Sequence, residues 1–172
     1  MSIENLKNQI KDYAKDTRLN LSILTSAQGI TQNQAYGIAL ASAYSTRSQV
    51  VIDSILGEVA DKISVAEIEA AKSAATIMAM NNIYYRAIHF SGDDELAKMP
   101  AGLRMQVIAN SGIERTDFEL YALAVSAING CGACVEAHVK QSYEHGVTRQ
   151  GVQSTLKIAA VINAVAQAVF VG

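Results

Sequence analysis

Apolar residues recur at helical spacing along almost the whole chain, and this pattern restricts the possible folds more than any other feature. Ile3, Leu6 and Ile10 share one helix face, and residues 36–43 supply another. No segment shows the period-two alternation that is typical of strands. The 172 residues include only 11 Gly and one Pro, fewer turn-forming residues than an all-β chain requires. The sequence therefore predicts an all-α fold.

Helix-capping patterns divide the chain into candidate helices. Residues 64–67 and 116–119 each have the form of a capping box, in which Ser or Thr is followed three positions later by Glu. Thr31 and Thr148 are further candidates for the N-terminal cap of a helix. One interpretation of Glu119 is therefore structural, because it could simply close the capping box of its own helix.

The least regular stretch is residues 91–115, where Gly, Pro, Asp and Asn interrupt the helical pattern. We interpret this stretch as a linker with one short helix at 103–109. It separates two similar halves, about residues 31–90 and 116–172. We expect both halves to be helical units around a shared core, within a single domain that spans the whole chain.

The two halves resemble each other at a nearly constant offset. Residues 39–43 are similar to residues 123–127, 84 positions later, and the candidate caps that follow them keep the same offset. This order of matching segments predicts an internal duplication. The first half has Arg47 and Val50 where the second half has its two cysteines, so only the second half is expected to carry chemistry.

Charge and apolar segments limit the function classes. The formal net charge is −2 and no basic stripe is present, so the sequence shows no electrostatic footprint for nucleic-acid binding. The N-terminal residues are amphipathic, unlike a signal peptide, which leads us to expect a cytoplasmic protein. The most apolar stretch, residues 158–171, is shorter than the roughly 20 residues of a membrane-spanning helix and contains Asn163 and Gln167. We expect a core or interface helix there, and no membrane partner.

The two cysteines lie three positions apart, within residues 129–138 (NGCGACVEAH). The Asn-Gly pair is expected to end the preceding helix, so a new helix should begin near Cys131 and continue to about residue 145. On such a helix, Cys131, Cys134 and His138 occupy positions i, i+3 and i+7, within an arc of about 60°. We therefore expect these three side chains on one helix face.

The start of a helix favours thiol chemistry. Unpaired backbone N–H groups and the positive end of the helix dipole stabilise a thiolate there. His138 follows Cys134 by one helical turn and can act as its base, so we assign Cys134 as the reactive thiolate and Cys131 as its resolving or proton-donating partner. Two cysteines across one helical turn can form only a distorted disulfide, and such a bond is easily reduced.

A zinc site is an alternative interpretation of the same residues. Cys131, Cys134 and His138 are zinc-ligand types, and Glu119 could be the fourth ligand. No second Cys or His pair follows at zinc-finger spacing, which argues against this site, and no metal is expected. A covalent c-type haem is excluded because the residue after the second cysteine is not His. His145 lies on the same face two turns later, and we expect it to interact with the helix C-terminus.

Segments from nearly the whole chain resemble the alkyl hydroperoxidase D (AhpD) family of the carboxymuconolactone decarboxylase superfamily. The central match is Glu119 followed by the Cys131-x-x-Cys134-x-x-x-His138 pattern. The other matching segments are residues 2–7, 13–16, 77–82, 118–120 and 124–131.

This resemblance implies an all-helical fold with an internal duplication, assembled as a homotrimer. It implies an antioxidant peroxidase that reduces alkyl hydroperoxides and regenerates an oxidised partner peroxiredoxin, AhpC. The electrons would come from dihydrolipoamide on a lipoylated dihydrolipoamide acyltransferase, so no bound cofactor is expected. The alternative is a non-redox enzyme of carboxymuconolactone decarboxylase type or a zinc-binding helical module, although decarboxylase-type relatives lack the cysteine pair.

The same resemblance implies a role for each site residue. Cys134 forms the sulfenic acid, and Cys131 is the proton donor that then forms a disulfide with it. His138 as base and Glu119 as proton relay match the family pattern, which favours the relay over the capping role. Burial beside the thiolate would raise the pKa of Glu119 and help it to pass protons at neutral pH. A well-known family member has His where this chain has Ala133, so His138 is expected to suffice here.

Overall fold

The computed structural model describes residues 2–172, and all regular secondary structure within these residues is helical. The predicted all-α class is therefore confirmed. A short 3-10 turn lies at Asp12–Ala14. The α-helices, in chain order, are α1 (Ile3–Gln9), α2 (Lys15–Asn20), α3 (Ile23–Ser26), α4 (Gln32–Thr46), α5 (Gln49–Val59), α6 (Val65–Ser91), α7 (Asp94–Lys98), α8 (Gln106–Ala109), α9 (Arg115–Ile128), α10 (Gly132–Glu144) and α11 (Arg149–Val171).

Helices α4 and α9 form the centre of the molecule. They pack against each other, and each also packs against α6 and α11. Most of their residues are buried, and many of these are alanines, so the helix axes can approach closely. At Gly37 of α4, the ring of Tyr121 from α9 fills the space that a side chain would occupy. This pairing supplies a rigid platform for α10, which packs on α9.

The N-terminal helices cover one side of this core. Helix α1 packs on α5, whereas α2 and α3 contact α11. Of the predicted α1 face, Leu6 and Ile10 are buried and Ile3 is partly buried against the core. These short helices lie away from the cysteine pair and complete the apolar core.

Most of the predicted helix starts are confirmed. Ser64 caps α6 and Thr31 caps α4, each in a complete capping box. In both boxes the N–H of the cap residue donates to the side chain three positions later. Thr148 caps α11 by accepting a hydrogen bond from the Gly151 N–H. Local capping chemistry therefore determines where the three long helices begin.

The predicted capping box at residues 116–119 is wrong. Helix α9 begins at Arg115, and its N-cap residue is Glu114, whose side chain makes no capping bond. Arg115 Nη1 donates to the Ile108 carbonyl at 2.8 Å, a contact with the linker that fixes the earlier start. Thr116 therefore lies within the first turn. Glu119 lies deeper in the helix and is free for another role.

The linker contains more helix than predicted. Helix α7 begins after Asp93, whose carboxylate accepts hydrogen bonds from two backbone N–H groups, a capping signal that the sequence interpretation missed. The predicted helix at 103–109 is shortened to α8, because Gly102 adopts a left-handed backbone with φ 64° just before it and Met105 is not helical. Ile108 of α8 packs against the core, and both linker helices contact α6.

Two helix triplets, α4–α5–α6 and α9–α10–α11, repeat the same order. In this comparison α9, α10 and α11 correspond to α4, α5 and α6. The contact between α6 and α10 then corresponds to the contact between α11 and α5, and the packing pattern is preserved. The turn after the first helix of each triplet contains one left-handed residue, Arg47 (φ 60°) or Gly130 (φ 69°). These observations support the internal duplication of residues 31–90 and 116–172, which stays a prediction until the halves are superposed.

Helix α11 is long and apolar enough to cross a membrane by length and composition alone, a test that the core helix of a soluble protein also passes. In this fold, the buried face of α11 packs on α4 and α9. Its last turn is different, because Phe170 and Val171 are 85% and 60% exposed. The segment 158–171 therefore combines a core face with an exposed apolar end.

Candidate active site

Cys131 and Cys134 form a disulfide at the N-terminus of α10, with their Cα atoms 5.3 Å apart. The helix begins and ends close to the predicted bounds. Cys131 is the N-cap, with extended backbone, and its Sγ accepts a hydrogen bond from the Cys134 N–H at 3.3 Å. Cys131 itself therefore lies just outside the helix, and Cys134 lies in its first turn. The Cα separation is ordinary for a disulfide.

The two sulfur atoms occupy different environments. Cys131 is completely buried, whereas Cys134 is 6% exposed and lines a pocket of about 300 Å³. Cys131 is not among the residues that line this pocket. A small molecule that enters the pocket therefore meets the sulfur of Cys134 first.

The pocket lies between α6, α10 and the linker. Its walls are mostly apolar, and its lining residues are Met78, Asn81, Tyr85, Met105, Ile108, Ala133, Cys134, Ala137 and His138. The wall from α10 carries the sulfur and the imidazole, and the wall from α6 faces them. Ala133 contributes only a methyl group, so no second imidazole lies beside Cys134 in this chain.

Glu119 and His138 connect α9 to α10. The His138 Nδ1 atom lies 2.7 Å from Glu119 Oε2, and both residues are buried. Glu119 Oε1 lies 2.6 Å from Arg115 Nη2, one helical turn earlier on α9. The contact between Glu119 and His138 forms because the turn at residues 129–130 folds α10 back along α9. The structure therefore brings together the four residues that the sequence singled out.

The electrostatics of Glu119 differ from the sequence expectation. Burial raises the pKa of this carboxyl, but the hydrogen bond from His138 and the positive charges of His138 and Arg115 together outweigh burial. The pKa of Glu119 therefore lies below its usual value, and the predicted rise is wrong because it counted burial without the opposing effects of His138 and then Arg115. At neutral pH Glu119 is an ionised hydrogen-bond acceptor.

This charge state determines the tautomer of His138. An ionised carboxylate can only accept, so Nδ1 of His138 carries the hydrogen that lies between it and Glu119. In the neutral ring Nε2 then carries no hydrogen, and it lies 3.3 Å from the Met78 sulfur, which is not a donor. Nε2 thus faces Met78 of the pocket wall, and Cys134 lies one helical turn before His138 on α10.

A polar network holds the turn that precedes the cysteine pair. Arg86 of α6 donates to the Asn129 carbonyl, and Asn129 Nδ2 donates to Asn82 Oδ1 at 2.9 Å. Asn82 Nδ2 in turn donates to Ser126 Oγ at 2.9 Å. Gly130 supplies the left-handed backbone conformation that the turn requires. Helix α6 therefore positions the start of α10 as well as lining the pocket.

Sequence reasoning missed the contributions of Met78, Asn81 and Asn82 of α6 to the site. Met78, Asn81 and Asn82 are more than 45 residues before the cysteines, so no local spacing connects them. One signal was available: two consecutive asparagines inside a long, largely apolar helix, where Asn is a weak helix former. Such residues are retained in a helix interior when their side chains have partners or a ligand.

Two further sequence interpretations can be compared with the structure. His145 is exposed, and its ring bonds the Gln141 carbonyl at 2.8 Å at the end of α10, away from the pocket. Within residues 2–172, no group of three or more His, Cys, Asp or Glu side chains is arranged to hold a metal ion. The cysteines are joined in a disulfide, and a zinc site would need them as thiolates.

Comparison with known proteins identifies related sequences. The carboxymuconolactone decarboxylase family profile matches residues 94–171, the region that contains Glu119, the cysteine pair and His138. Alkyl hydroperoxide reductase AhpD of Rhodospirillum centenum is 48% identical over 166 residues, which are 96% of this chain and 89% of the relative.

Other relatives of the same name match equally long segments. The AhpD protein of a Bradyrhizobium strain is 49% identical over 169 residues, 98% of this chain and 93% of the relative. That of Brucella anthropi is 46% identical over 166 residues, 96% of this chain and 95% of the relative.

The lowered pKa of Glu119 predicts how stability depends on pH. The folded-state pKa lies below the unfolded value of about 4.5, so the unfolded chain binds more protons between these two values. Glu119 should therefore stabilise the fold above about pH 4.5 and lose this contribution as the pH falls through the folded-state pKa. Urea denaturation of the wild type and of Glu119→Gln at several pH values checks this prediction.

The two proteins should differ in free energy of unfolding at neutral pH, and the difference should shrink on acidification. Glu136→Gln removes an exposed carboxylate from α10 and serves as the matched control for loss of a negative charge. A stability difference between wild type and Glu119→Gln that is constant across the acidic range would contradict the prediction.

Proposed function

The chain belongs to the AhpD group of the carboxymuconolactone decarboxylase family, and from this premise we propose that it is an antioxidant enzyme that reduces alkyl hydroperoxides. The observation that carries the proposal is the position of Cys134. Its sulfur lines an apolar pocket beside His138, while the partner sulfur of Cys131 is buried. Apolar walls suit the alkyl group of an organic hydroperoxide, and the relatives are named for reducing such compounds.

The first step is formation of the Cys134 thiolate. His138 Nε2 accepts the thiol proton, because Nδ1 is committed to the carboxylate of Glu119. Glu119 stabilises the imidazolium that results and keeps the ring oriented, as the third group does in other nucleophile–base pairs. Unpaired N–H groups at the start of α10 favour the thiolate further. In this proposal His138 is the base, and Glu119 takes part in the relay as the fixed acceptor that orients it.

The second step is reduction of the peroxide. The thiolate attacks the outer oxygen of the hydroperoxide, so that a sulfur–oxygen bond forms and the oxygen–oxygen bond breaks. The alkyl oxygen leaves and is protonated to the alcohol, and Cys134 becomes a sulfenic acid. The Cys131 thiol then attacks this sulfur, water leaves, and the disulfide forms. Their juxtaposition at the start of α10 supports this assignment of Cys131 as the resolving residue.

The cycle needs a reductant for the disulfide. We assign this role to dihydrolipoamide on a lipoylated dihydrolipoamide acyltransferase, whose two thiols return two electrons by exchange at Cys134. A pocket of about 300 Å³ with apolar walls can admit a narrow hydrocarbon arm that ends in a dithiol. The reduced cysteine pair would also reduce the disulfide of the peroxiredoxin AhpC, by the same exchange chemistry. A reducing cytoplasm is the compartment in which this cycle can continue.

A Cys131→Ser variant should stop the cycle after the first chemical step. Without a resolving thiol, Cys134 should accumulate as a sulfenic acid or as a mixed disulfide, detected by dimedone labelling and mass spectrometry. Multiple turnover should be abolished. Cys134→Ser is the matched control and should form no adduct, because Cys131 does not line the pocket. A sulfenic acid on Cys131 of that control would reverse the assignment.

Counting thiols separates the redox enzyme from the zinc alternative. Treatment of the reduced protein with a stoichiometric alkyl hydroperoxide should consume two thiols per chain, and dihydrolipoamide should restore both. The zinc module predicts release of a metal ion on oxidation, measured with a chromogenic chelator. Metal release in proportion to thiol loss would contradict the proposed function.

We also propose that the protein is a homotrimer. The exposed apolar side chains of Phe90, Phe170 and Val171 support a buried interface between subunits, since large exposed apolar groups mark contact surfaces. Light scattering at micromolar concentration should give the mass of three 18.3 kDa chains. A monomeric mass would contradict the proposal.

A further inference from the structure

Asn81 is a polar side chain that lines the pocket, and its amide oxygen is buried. The residue is only 5% exposed, and its Oδ1 atom makes no hydrogen bond within residues 2–172. Buried amides are nearly always hydrogen-bonded, because an unpaired amide loses its bonds to water without replacement. Within the same residues the Tyr121 hydroxyl in the core also lacks a partner, so what singles out Asn81 is that it lines the pocket as well.

The neighbouring Asn82 shows that the fold can satisfy an asparagine in this part of α6. Its Nδ2 donates to Ser126 and its Oδ1 accepts from Asn129. Asn82 is fully buried and does not line the pocket. Two adjacent residues of one type therefore differ in role: Asn82 supports the turn before the cysteines, and Asn81 is left for a ligand.

The position of Asn81 identifies the part of the ligand that it can reach. Met78, Asn81 and Tyr85 lie at positions i, i+3 and i+7 of α6 and form one wall of the pocket. The wall from α10 carries Cys134 and His138. The reacting group of a substrate at the sulfur therefore lies between the two walls, with the Asn81 amide available from the α6 side.

We propose that Asn81 binds the hydroperoxide group and donates a hydrogen bond to the oxygen that leaves, an inference that rests on the proposed peroxidase function. A hydroperoxide has one O–H donor and two acceptor oxygens. The NH₂ group of a carboxamide is a suitable partner, because it can donate to the alkyl-bearing oxygen. This arrangement presents the outer oxygen to the sulfur of Cys134.

The hydrogen bond from Asn81 strengthens during the reaction. When the thiolate attacks, the sulfur–oxygen bond forms and the electron pair of the broken oxygen–oxygen bond moves to the alkyl oxygen. Sulfur is oxidised by two electrons and the peroxide is reduced by two. Negative charge develops on the atom to which Nδ2 donates, and a fixed donor at that place lowers the barrier. The imidazolium of His138 returns the thiol proton to this oxygen, which completes the alcohol.

The Asn81→Leu variant tests the proposal, because Leu has a similar size and no hydrogen-bonding group. Two rate constants are measured separately: oxidation of the reduced protein by cumene hydroperoxide in single-turnover stopped flow, and reduction of the disulfide by dihydrolipoamide. We expect oxidation to slow by about 10²-fold, the effect of removing one fixed donor. Reduction by dihydrolipoamide should be unchanged. Asn81→Ser keeps a hydroxyl and should recover part of the oxidation rate.

Asn82→Leu is the matched structural control. It breaks two hydrogen bonds of the turn network, so it should lower the thermal unfolding midpoint and slow both reactions together. Asn81→Leu should not lower that midpoint, since it replaces an unpaired amide with an apolar group.

Each remaining outcome overturns the proposal in a recognisable way. An unchanged oxidation rate in Asn81→Leu excludes a role in peroxide binding, and equal slowing of both reactions indicates a structural role. Selective slowing of the dihydrolipoamide reaction would assign Asn81 to the lipoyl amide instead. If the wild type itself does not react with the peroxide, the proposed function fails together with the inference. If the wild type reacts and Asn81→Leu reacts equally fast, only the inference is refuted.

Discussion

The buried carboxylate of Glu119 is the constraint on which the arrangement of the site depends. An ionised group at 1% exposure is tolerated only when charged or hydrogen-bonding partners surround it. Arg115 belongs to the same helix and cannot orient a second one, so the contact with His138 is what ties α10 to α9. Because Cys134 lies one turn before His138 on the same face, satisfying one buried charge also places the sulfur at the pocket.

A second set of bonds fixes the other end of the redox pair. Asn129 is held by Arg86 and Asn82 of α6, immediately before the cysteines, and the contact with Glu119 lies one turn after them. None of these bonds uses a cysteine sulfur. Oxidation and reduction can therefore alternate at Cys131 and Cys134 while the polar contacts on both sides persist, although the N-cap bond of α10 itself uses the Cys131 sulfur.

The sequence predicts those features that local chemistry determines. Helical spacing and the caps at Thr31, Ser64 and Thr148 act within one or two turns, and they place the long helices correctly. The box at residues 116–119 fails because helix α9 begins earlier, at Arg115, whose side chain bonds the Ile108 carbonyl of the linker. The opposing wall of the pocket could not be predicted, since it depends on how α6 packs against α10.

A second pocket shows which parts of the site are due to the scaffold. It lies beside the start of α5. Because α5 corresponds to α10 and α11 corresponds to α6 in the two triplets, this pocket is the counterpart of the first pocket. Its α11 residues Asn163, Ala166 and Phe170 stand 85 positions after Met78, Asn81 and Tyr85 of the first pocket. The residues 84 positions before Cys134 and Glu119 are Val50 and Ala35, so the first half has neither the thiol nor the carboxylate at the corresponding places. Each pocket is a cavity beside a helix N-terminus, so this arrangement by itself does not make a redox site. The thiols, the buried carboxylate with its histidine, and the amide of Asn81 are what distinguish the first pocket from the second.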